Sequence, residues 1–277
     1  MNLSHFSHPG PWWTRVRPTV HYLLQTEAHV FALATSASVL LSFYPFLMVM
    51  LSFCRDVLHS PGAEDAVFVA LRDFFAGEPG QFLANNLASW SWHNRLDLLT
   101  MLLLLFTANG IFEPLEVALN RAWGVTENRS YLKNQLVSLG FIFMCGGMAV
   151  LSLMFTGWHD ARAAVPAKLG VWTQHLFFKL AAMPLTVIAL FLIYWLLPNR
   201  KIEPMRVAPV AVVVGLILEG LKYVNLLISP WLQNKLNHEY DIFQHSVTIL
   251  LWSFVSSLIV LAGAHWTARH GRGDPLA

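Results

Sequence analysis

The chain has 277 residues, of which 56% are hydrophobic and only 12% are charged, and its formal net charge is +2. Soluble globular domains carry about 25% charged residues, so this composition excludes an ordinary soluble protein and predicts an integral membrane protein. The small net charge also provides no basic surface of the kind that nucleic-acid-binding proteins have, and we expect no nucleic-acid partner.

Six apolar stretches are long enough to cross a bilayer as helices, which takes about 20 residues each. The predicted crossings cover residues 29–54, 98–119, 136–158, 180–198, 207–229 and 246–266. An even number of crossings places both termini on the same side of the membrane. The sequence therefore predicts an all-α polytopic protein with six transmembrane helices, in which residues 1–277 form a single integral membrane domain.

The distribution of basic residues predicts the orientation, because cytoplasmic loops carry the excess of Lys and Arg. The terminal side of the arrangement holds ten of the 18 basic residues, and the short connection 199–206 alone contains Arg200, Lys201 and Arg206. Both termini are accordingly predicted in the cytoplasm and the protein in the inner membrane. No cleavable signal peptide is predicted, since the first apolar stretch begins only at His29 and is too long for one.

Between the first two crossings, apolar residues recur at helical spacing in two segments, 64–76 and 82–90. Val67 and Leu71 belong to the first of these faces, and Leu83 and Leu87 belong to the second. This pattern predicts two amphipathic helices in an extracytoplasmic loop. They either cover the bundle and lie in the membrane interface, or form a substrate portal or a docking surface for a partner.

Ionisable side chains at bilayer depth need water, a partner or a cavity, because burying an isolated charge in lipid is unfavourable. The second predicted crossing ends in a polar stripe, and the fifth contains an acid–base pair. The candidate residues for a polar cavity are Asn109, Glu113, Glu116, Asn120, Arg121, Glu219 and Lys222. The alternatives are a structural cap at the cytoplasmic edge for the stripe and an interfacial position for the pair.

Two further residues are singled out by their positions in predicted crossings. Pro45 lies in the middle of the first and predicts a helix kink, which either accommodates packing or exposes carbonyls to a ligand. His265 lies at the cytoplasmic end of the last and is interpreted as an interfacial residue, with titration near neutral pH as the alternative.

Catalytic motifs are absent from the sequence. It contains no H-E-x-x-H, no G-x-S-x-G, no phosphate-binding loop and no spaced cysteine pairs. The acidic residues of the first loop follow the solvated faces of the predicted helices without a basic track beside them, which disfavours a nuclease. The sequence therefore predicts a protein that is not an enzyme and uses no cofactor or metal.

Three segments of the sequence are distinctive: Leu-Ser-Phe-Tyr-Pro-Phe-Leu at 41–47, Ala-Leu-Asn-Arg-Ala-Trp-Gly-Val at 118–125 with Asn-Arg-Ser at 128–130, and Leu-Leu-Trp-Ser-Phe at 250–254 with Leu-Ala-Gly-Ala at 261–264. They resemble the YihY/BrkB family of bacterial inner-membrane proteins, and the resemblance covers most of the chain. The second is the most specific. The family commonly has a glutamate where this chain has His265. The resemblance implies six helices with cytoplasmic termini, and it carries a historical ribonuclease BN label that we regard as a misassignment.

The preferred hypothesis is a transporter function. The chain would then be a multi-pass inner-membrane protein that moves or handles a small solute or a lipid-like amphiphile, with membrane lipids as its surroundings. The alternative is a scaffold for envelope assembly that binds an envelope protein or a second copy of itself. A ribonuclease is the third and disfavoured hypothesis.

Overall fold

The structure is a computed structural model that describes residues 12–24, 26–74, 78–93, 98–125, 129–162 and 171–271. Within these ranges every regular element is helical, which confirms the all-α class. The α-helices are α1 (Trp12–Leu23), α2 (Thr26–Ser52), α3 (Pro61–Phe74), α4 (Glu78–His93), α5 (Leu98–Trp123), α6 (Tyr131–Arg162), α7 (Val171–Leu196), α8 (Pro204–Tyr240) and α9 (Gln244–Gly271). A π-helical turn, Phe53–Val57, continues α2, and a short 3₁₀ turn, Asp241–Phe243, joins α8 to α9.

Each of the six predicted crossings coincides with a helix, namely α2 and α5 to α9. In the described part of the chain, three helical stretches are both long enough and apolar enough to span a membrane: Glu27–Val57, Pro204–Tyr240 and Gln244–Arg269. A shorter apolar helix covers Pro184–Leu196. A helical membrane protein is thus confirmed, whereas the number of six crossings stays a prediction.

Contacts between helix ends show that consecutive long helices run in alternating directions. Glu27 at the start of α2 forms an ion pair of 2.7 Å with Arg121 near the end of α5. Arg129, just before α6, donates a hydrogen bond of 3.0 Å to the carbonyl of Leu196 at the end of α7. We call this end of the bundle, where α2, α6 and α8 begin, the basic end. Its assignment to the cytoplasm stays a prediction.

The larger apolar core lies among α5 to α9 and the first half of α2, which contributes Ala32. Within it, α7, α8 and α9 approach closely at Gly263. A Cβ added at Gly263 would lie 2.5 Å from Val214 Cγ2 of α8 and 2.6 Å from Tyr194 Oη of α7. The Tyr194 hydroxyl also donates a hydrogen bond of 2.8 Å to the carbonyl of Val260. Three helices therefore meet at a position where a larger residue would force its neighbours to move.

A second apolar cluster lies where α3 and α4 pack against the second half of α2. Its members include Leu47, Leu51, Cys54, Val67, Leu71, Leu83 and Leu87. Helices thus occupy the two segments of the first loop, and α4 begins at Glu78 because Pro79 is accommodated in a first helical turn. Their amphipathic character and extracytoplasmic location stay predictions.

The first long helix continues through Pro45 to Ser52 and then widens into the π-helical turn. Three residues before the proline, the Ser42 hydroxyl donates a hydrogen bond of 2.8 Å to the carbonyl of Ser38. The kink at Pro45 stays a prediction. The π-helical turn is a feature that the sequence analysis did not predict, since hydropathy carries no signal for an extra residue within a helical turn.

The outward face of α8 is apolar. Its exposed residues include Val212, Val213, Leu216, Ile217, Val224 and Leu227. A row of exposed aliphatic side chains along one helix is the surface expected where a protein meets lipid rather than water.

Candidate functional site

The most specific block of the family resemblance forms the end of α5. Gly124 has a φ of 69°, a left-handed conformation that favours glycine. Its N–H donates to the carbonyl of Arg121 at 3.0 Å, and the N–H of Val125 donates to the carbonyl of Asn120 at 2.8 Å. These two bonds make a Schellman motif, which satisfies the last carbonyls of the helix and turns the chain away.

Side chains of the same block tie α5 to the connection between α7 and α8. Asn120 is 1% exposed, and its Oδ1 accepts a hydrogen bond of 2.7 Å from the backbone N–H of Asn199. Its Nδ2 lies 3.5 Å from Oε1 of Glu116, which is 2% exposed. The two residues are one helical turn apart, so both point from α5 toward this connection.

Arg129 completes what we call the buried polar network, made of the side chains of Glu116, Asn120 and Arg129 with the backbone N–H of the exposed residue Asn199. Its Nη2 donates to the carbonyls of Leu196 and Pro198 at 3.0 and 3.4 Å. Its Nη1 lies 4.0 Å from Glu116 Oε1, at the outer limit of an ion pair. Arg129 Nη1 and Glu116 Oε2 are buried without a hydrogen-bond partner in the structure, so each charge is only partly satisfied.

The other members of the polar stripe lie elsewhere. Glu113 and Arg121 are exposed. Arg121 pairs with Glu27 and lies over the ring of Phe31 at 5.5 Å from its centroid. Asn109 lies within α5, but its side chain is outside the described residues. The structure therefore brings Glu116 and Asn120 together with one another and does not bring Glu113 or Arg121 to them.

An open cavity of about 490 Å³ lies beside the network, at the beginning of α6. We call it the α6 cavity. It is lined by Arg129, Ser130, Lys133, Leu136, Val137 and Asn199. Two cations and two neutral polar residues thus lie near the helix terminus, and two apolar residues lie one turn further along α6.

The acid–base pair of α8 lies far from this end. Lys222 Nζ is 2.6 Å from Glu219 Oε2, and the side chain of the lysine is 42% exposed while that of the glutamate is 14% exposed. At a rise of 1.5 Å per residue, Lys222 lies roughly 27 Å along α8 from Pro204 at the basic end. The pair is therefore separate from the buried polar network.

A second cavity, of about 220 Å³, lies between α7, α8 and α9 and includes this lysine. We call it the Lys222 cavity. Its lining residues are Thr186, Leu218, Leu221, Lys222, Asn225, Trp252 and Ser256. The indole Nε1 of Trp252 is buried and has no hydrogen-bond partner in the structure. Polar and apolar groups thus share one cavity, and none of its lining residues belongs to the α6 cavity.

His265 packs against α1. Its ring stacks on Tyr22 with a centroid distance of 4.5 Å and an interplanar angle of 7°, and its Nδ1 lies 3.3 Å from Thr19 Oγ1. Burial, and then the negative charge of Glu27, raise the pKa of the Tyr22 hydroxyl above its usual value. The phenol therefore remains neutral beside the imidazole at physiological pH.

Arg129, Lys133 and Asn199 were not predicted as site residues. A signal for them exists in the sequence: Arg129 and Lys133 flank the start of an apolar stretch, and Asn199 lies in the short basic connection. Among the residues that the structure describes, no cluster of three or more His, Cys, Asp and Glu side chains is arranged to hold a metal ion.

Comparison with known proteins gives the same family over most of the chain. Residues 20–274 match the profile of the family described as Virulence factor BrkB. A UPF0761 membrane protein of Acinetobacter baylyi is 29% identical over 187 residues, which cover 61% of this chain and 41% of the relative. A UPF0761 membrane protein of Chlorobium chlorochromatii is 24% identical over 251 residues, 88% of this chain and 56% of the relative.

A third relative, the putative ribonuclease-like protein YfkH of Bacillus subtilis, is 23% identical over 243 residues, 83% of this chain and 85% of its own. The chain spans less than two thirds of the length of the two UPF0761 relatives. No solved structure matches the chain significantly.

Proposed function

Since the chain belongs to the Virulence factor BrkB family and its relatives are membrane proteins, we propose that it binds an anionic amphiphile and moves it within or across the inner membrane. In this proposal α2 and α5 to α9 cross the membrane, and both termini lie in the cytoplasm. Catalysis is not part of the proposed function, and the ribonuclease-like name belongs to the Bacillus relative alone.

The Lys222 cavity carries this proposal. Its lining residues combine a cation, Lys222, with Asn225 and with the side chains of Leu218, Leu221 and Trp252. Ligand sites are typically apolar cavities in which a few polar groups orient the ligand. A polar head bound at Lys222 is matched to this mixture, whereas a fully hydrated ion would leave the apolar walls without contacts.

The exposed surface of α8 next to the cavity is apolar and suits the hydrocarbon chain of an amphiphile. Ile217 and Val224 are 49% and 46% exposed and lie on the same helix as the cavity residues Leu218 and Leu221. The cavity volume of about 220 Å³ is too small for a whole lipid, because cavities for drug-sized ligands measure about 300–1,000 Å³. A head group therefore enters the cavity while its hydrocarbon chain stays on the aliphatic face of α8.

Glu219 gives the site a partner for Lys222 when no ligand is bound. A single ammonium at membrane depth is unfavourable, and the 2.6 Å pair offsets part of that cost. An anionic head group that approaches Lys222 replaces the carboxylate as its counter-ion. This exchange selects an anion over a cation, because a cationic head would meet the ammonium directly.

The test uses the purified full chain reconstituted in vesicles that contain a fluorescently labelled phosphatidylglycerol. Loss of fluorescence after a membrane-impermeant quencher is added reports movement of the lipid between leaflets. We expect Lys222→Met to slow this movement about tenfold, which corresponds to the loss of one charge-assisted hydrogen bond. The matched control is Lys235→Met, because Lys235 lies on the same helix over the ring of Trp231 and does not line the cavity.

Three results would contradict the proposal. The first is lipid movement in vesicles with the wild-type protein that is no faster than in protein-free vesicles. The second is an unchanged rate for Lys222→Met, and the third is an equal slowing by Lys235→Met. The scaffold hypothesis predicts the second of these results together with a stable envelope-protein partner. Thermal unfolding of each variant in detergent excludes misfolding as the cause of a slower rate.

A further inference from the structure

We infer that the α6 cavity is a binding site for a phosphate-type anion, either free phosphate or the phosphate ester of a lipid head group. This site lies at the basic end and shares no lining residue with the Lys222 cavity. The inference therefore stands independently of the proposed function.

The charges around the cavity favour an anion. Arg129 and Lys133 contribute two positive charges, and none of the described residues that line the cavity carries a carboxylate. Glu116 lies 4.0 Å from Arg129 Nη1 and offsets the charge of the arginine. Lys133 is exposed and forms no ion pair with an acid among the described residues, so its charge is available to a ligand.

Arg129 lines the cavity with a guanidinium that other parts of the chain hold in place. Its Nη2 donates to the carbonyls of Leu196 and Pro198, which fixes the plane of the guanidinium. Its Nη1 is buried on the side of Glu116. A positive charge fixed at the wall of the cavity favours an anion there over a cation.

The backbone of α6 also favours an anion. The cavity includes Ser130 and Lys133, at the beginning of the 32-residue helix α6. The first N–H groups of a helix have no partner within it, and the helix dipole makes this end partly positive. These groups supplement the two side-chain cations of the cavity, which define the site.

The size and the remaining walls indicate the class of ligand. A cavity of about 490 Å³ lies within the range of about 300–1,000 Å³ that is typical of ligand sites, and it is larger than a phosphate group needs. Leu136 and Val137 line it one turn beyond the cations. The cations Arg129 and Lys133 suit a phosphate, and the apolar side chains Leu136 and Val137 suit an organic group that is esterified to it.

The first arm of the test measures binding of inorganic phosphate to the full chain in an uncharged detergent by isothermal titration calorimetry. We expect Lys133→Gln to raise the Kd about tenfold, since one charge-assisted hydrogen bond is lost. Lys133 is exposed, so its substitution leaves the packing intact. The control is Lys201→Gln, which removes the same charge from the same end of the bundle but does not line the cavity.

The second arm uses native mass spectrometry of protein released from micelles that contain equal amounts of phosphatidylglycerol and phosphatidylcholine. If the ligand is a lipid head group, the wild type retains phosphatidylglycerol, Lys133→Gln retains several-fold less, and Lys201→Gln retains as much as the wild type. If the ligand is free phosphate, only the calorimetric arm shows the dependence on Lys133.

A dependence on Lys133 in either arm supports the site and identifies the source of the anion. The inference is overturned if neither arm responds to Lys133→Gln, or if Lys201→Gln has an equal effect, because the binding would then follow overall charge. Neither arm measures lipid movement, so failure of this site and failure of the proposed function are distinguishable.

Discussion

Two pairs of ionisable residues, each three residues apart in an apolar helix, have different surroundings in this protein. In α5, Glu113 is exposed, whereas Glu116 belongs to the buried polar network and lies near Asn120 and Arg129. Glu219 and Lys222 of α8 stay together as a local pair beside a cavity. Equal spacing therefore does not imply an equal role. The network at the basic end connects the ends of different helices, whereas the pair on α8 lies within one helix.

The largest effect on stability is expected from Arg129→Leu. The substitution removes two hydrogen bonds to the ends of α7 and leaves Glu116 buried without its cation. Removing one partner of a buried ion pair costs about 3–5 kcal/mol in the free energy of unfolding. Denaturant unfolding in detergent, followed by tryptophan fluorescence, measures this loss. A loss below about 1 kcal/mol would show that the network resembles an exposed ion pair.

A smaller loss in the free energy of unfolding is expected from Asn120→Ala. The Asn199 N–H loses its 2.7 Å acceptor, and the loss of a hydrogen bond of this kind costs about 0.5–1.5 kcal/mol. The matched control is Asn237→Ala, since Asn237 is exposed on α8 and its substitution is expected to change stability by less than about 0.5 kcal/mol. If the two substitutions lower the free energy of unfolding equally, the hydrogen bond between Asn199 and Asn120 has no special role in stability.

Gly124→Ala tests the Schellman motif that carries the network. A left-handed φ of 69° costs a non-glycine residue about 1 kcal/mol, so we expect a loss of that size. Gly140→Ala is the control, because nothing lies within 4 Å of a Cβ added there in the interior of α6. The same unfolding experiment should show no loss for Gly140→Ala, and a loss as large as that of Gly124→Ala would argue against the conformational cause.

The smallest effect on stability is expected from Lys222→Met. A pair three residues apart within one helix contributes about 0.2–0.5 kcal/mol, and the substitution also removes an ammonium whose position at membrane depth is unfavourable. Lys222→Met separates the α8 pair from the buried polar network most clearly, because we expect it to slow lipid movement while hardly changing the free energy of unfolding. A loss of unfolding free energy as large as that of Arg129→Leu would show that the α8 pair, like the buried polar network, mainly stabilises the fold.

Hydropathy predicted the helices well because each long apolar stretch must satisfy its backbone within one helix. It placed their ends less well: α8 extends to Tyr240, eleven residues beyond the predicted end at 229, since helical hydrogen bonding continues after the apolar pattern stops. The π-helical turn after Ser52 had no signal in the composition.

The candidate site was predicted only in part. Helical spacing singled out Glu116 and Asn120 because polar residues are conspicuous in an apolar stretch. Spacing within one helix carries no information about partners from distant segments. Arg129 and Asn199 reach the network only through the packing of the α7–α8 connection against the end of α5, which is a tertiary contact.

The close approach at Gly263 limits how the molecule is able to change shape. Because α9 touches Val214 and Tyr194 at this glycine, and Tyr194 is anchored to Val260, these helices cannot slide past one another without breaking that joint. A bulky side chain introduced at Gly263 is therefore expected to force α9 away from α7 and α8 and to loosen the packing that these three helices share.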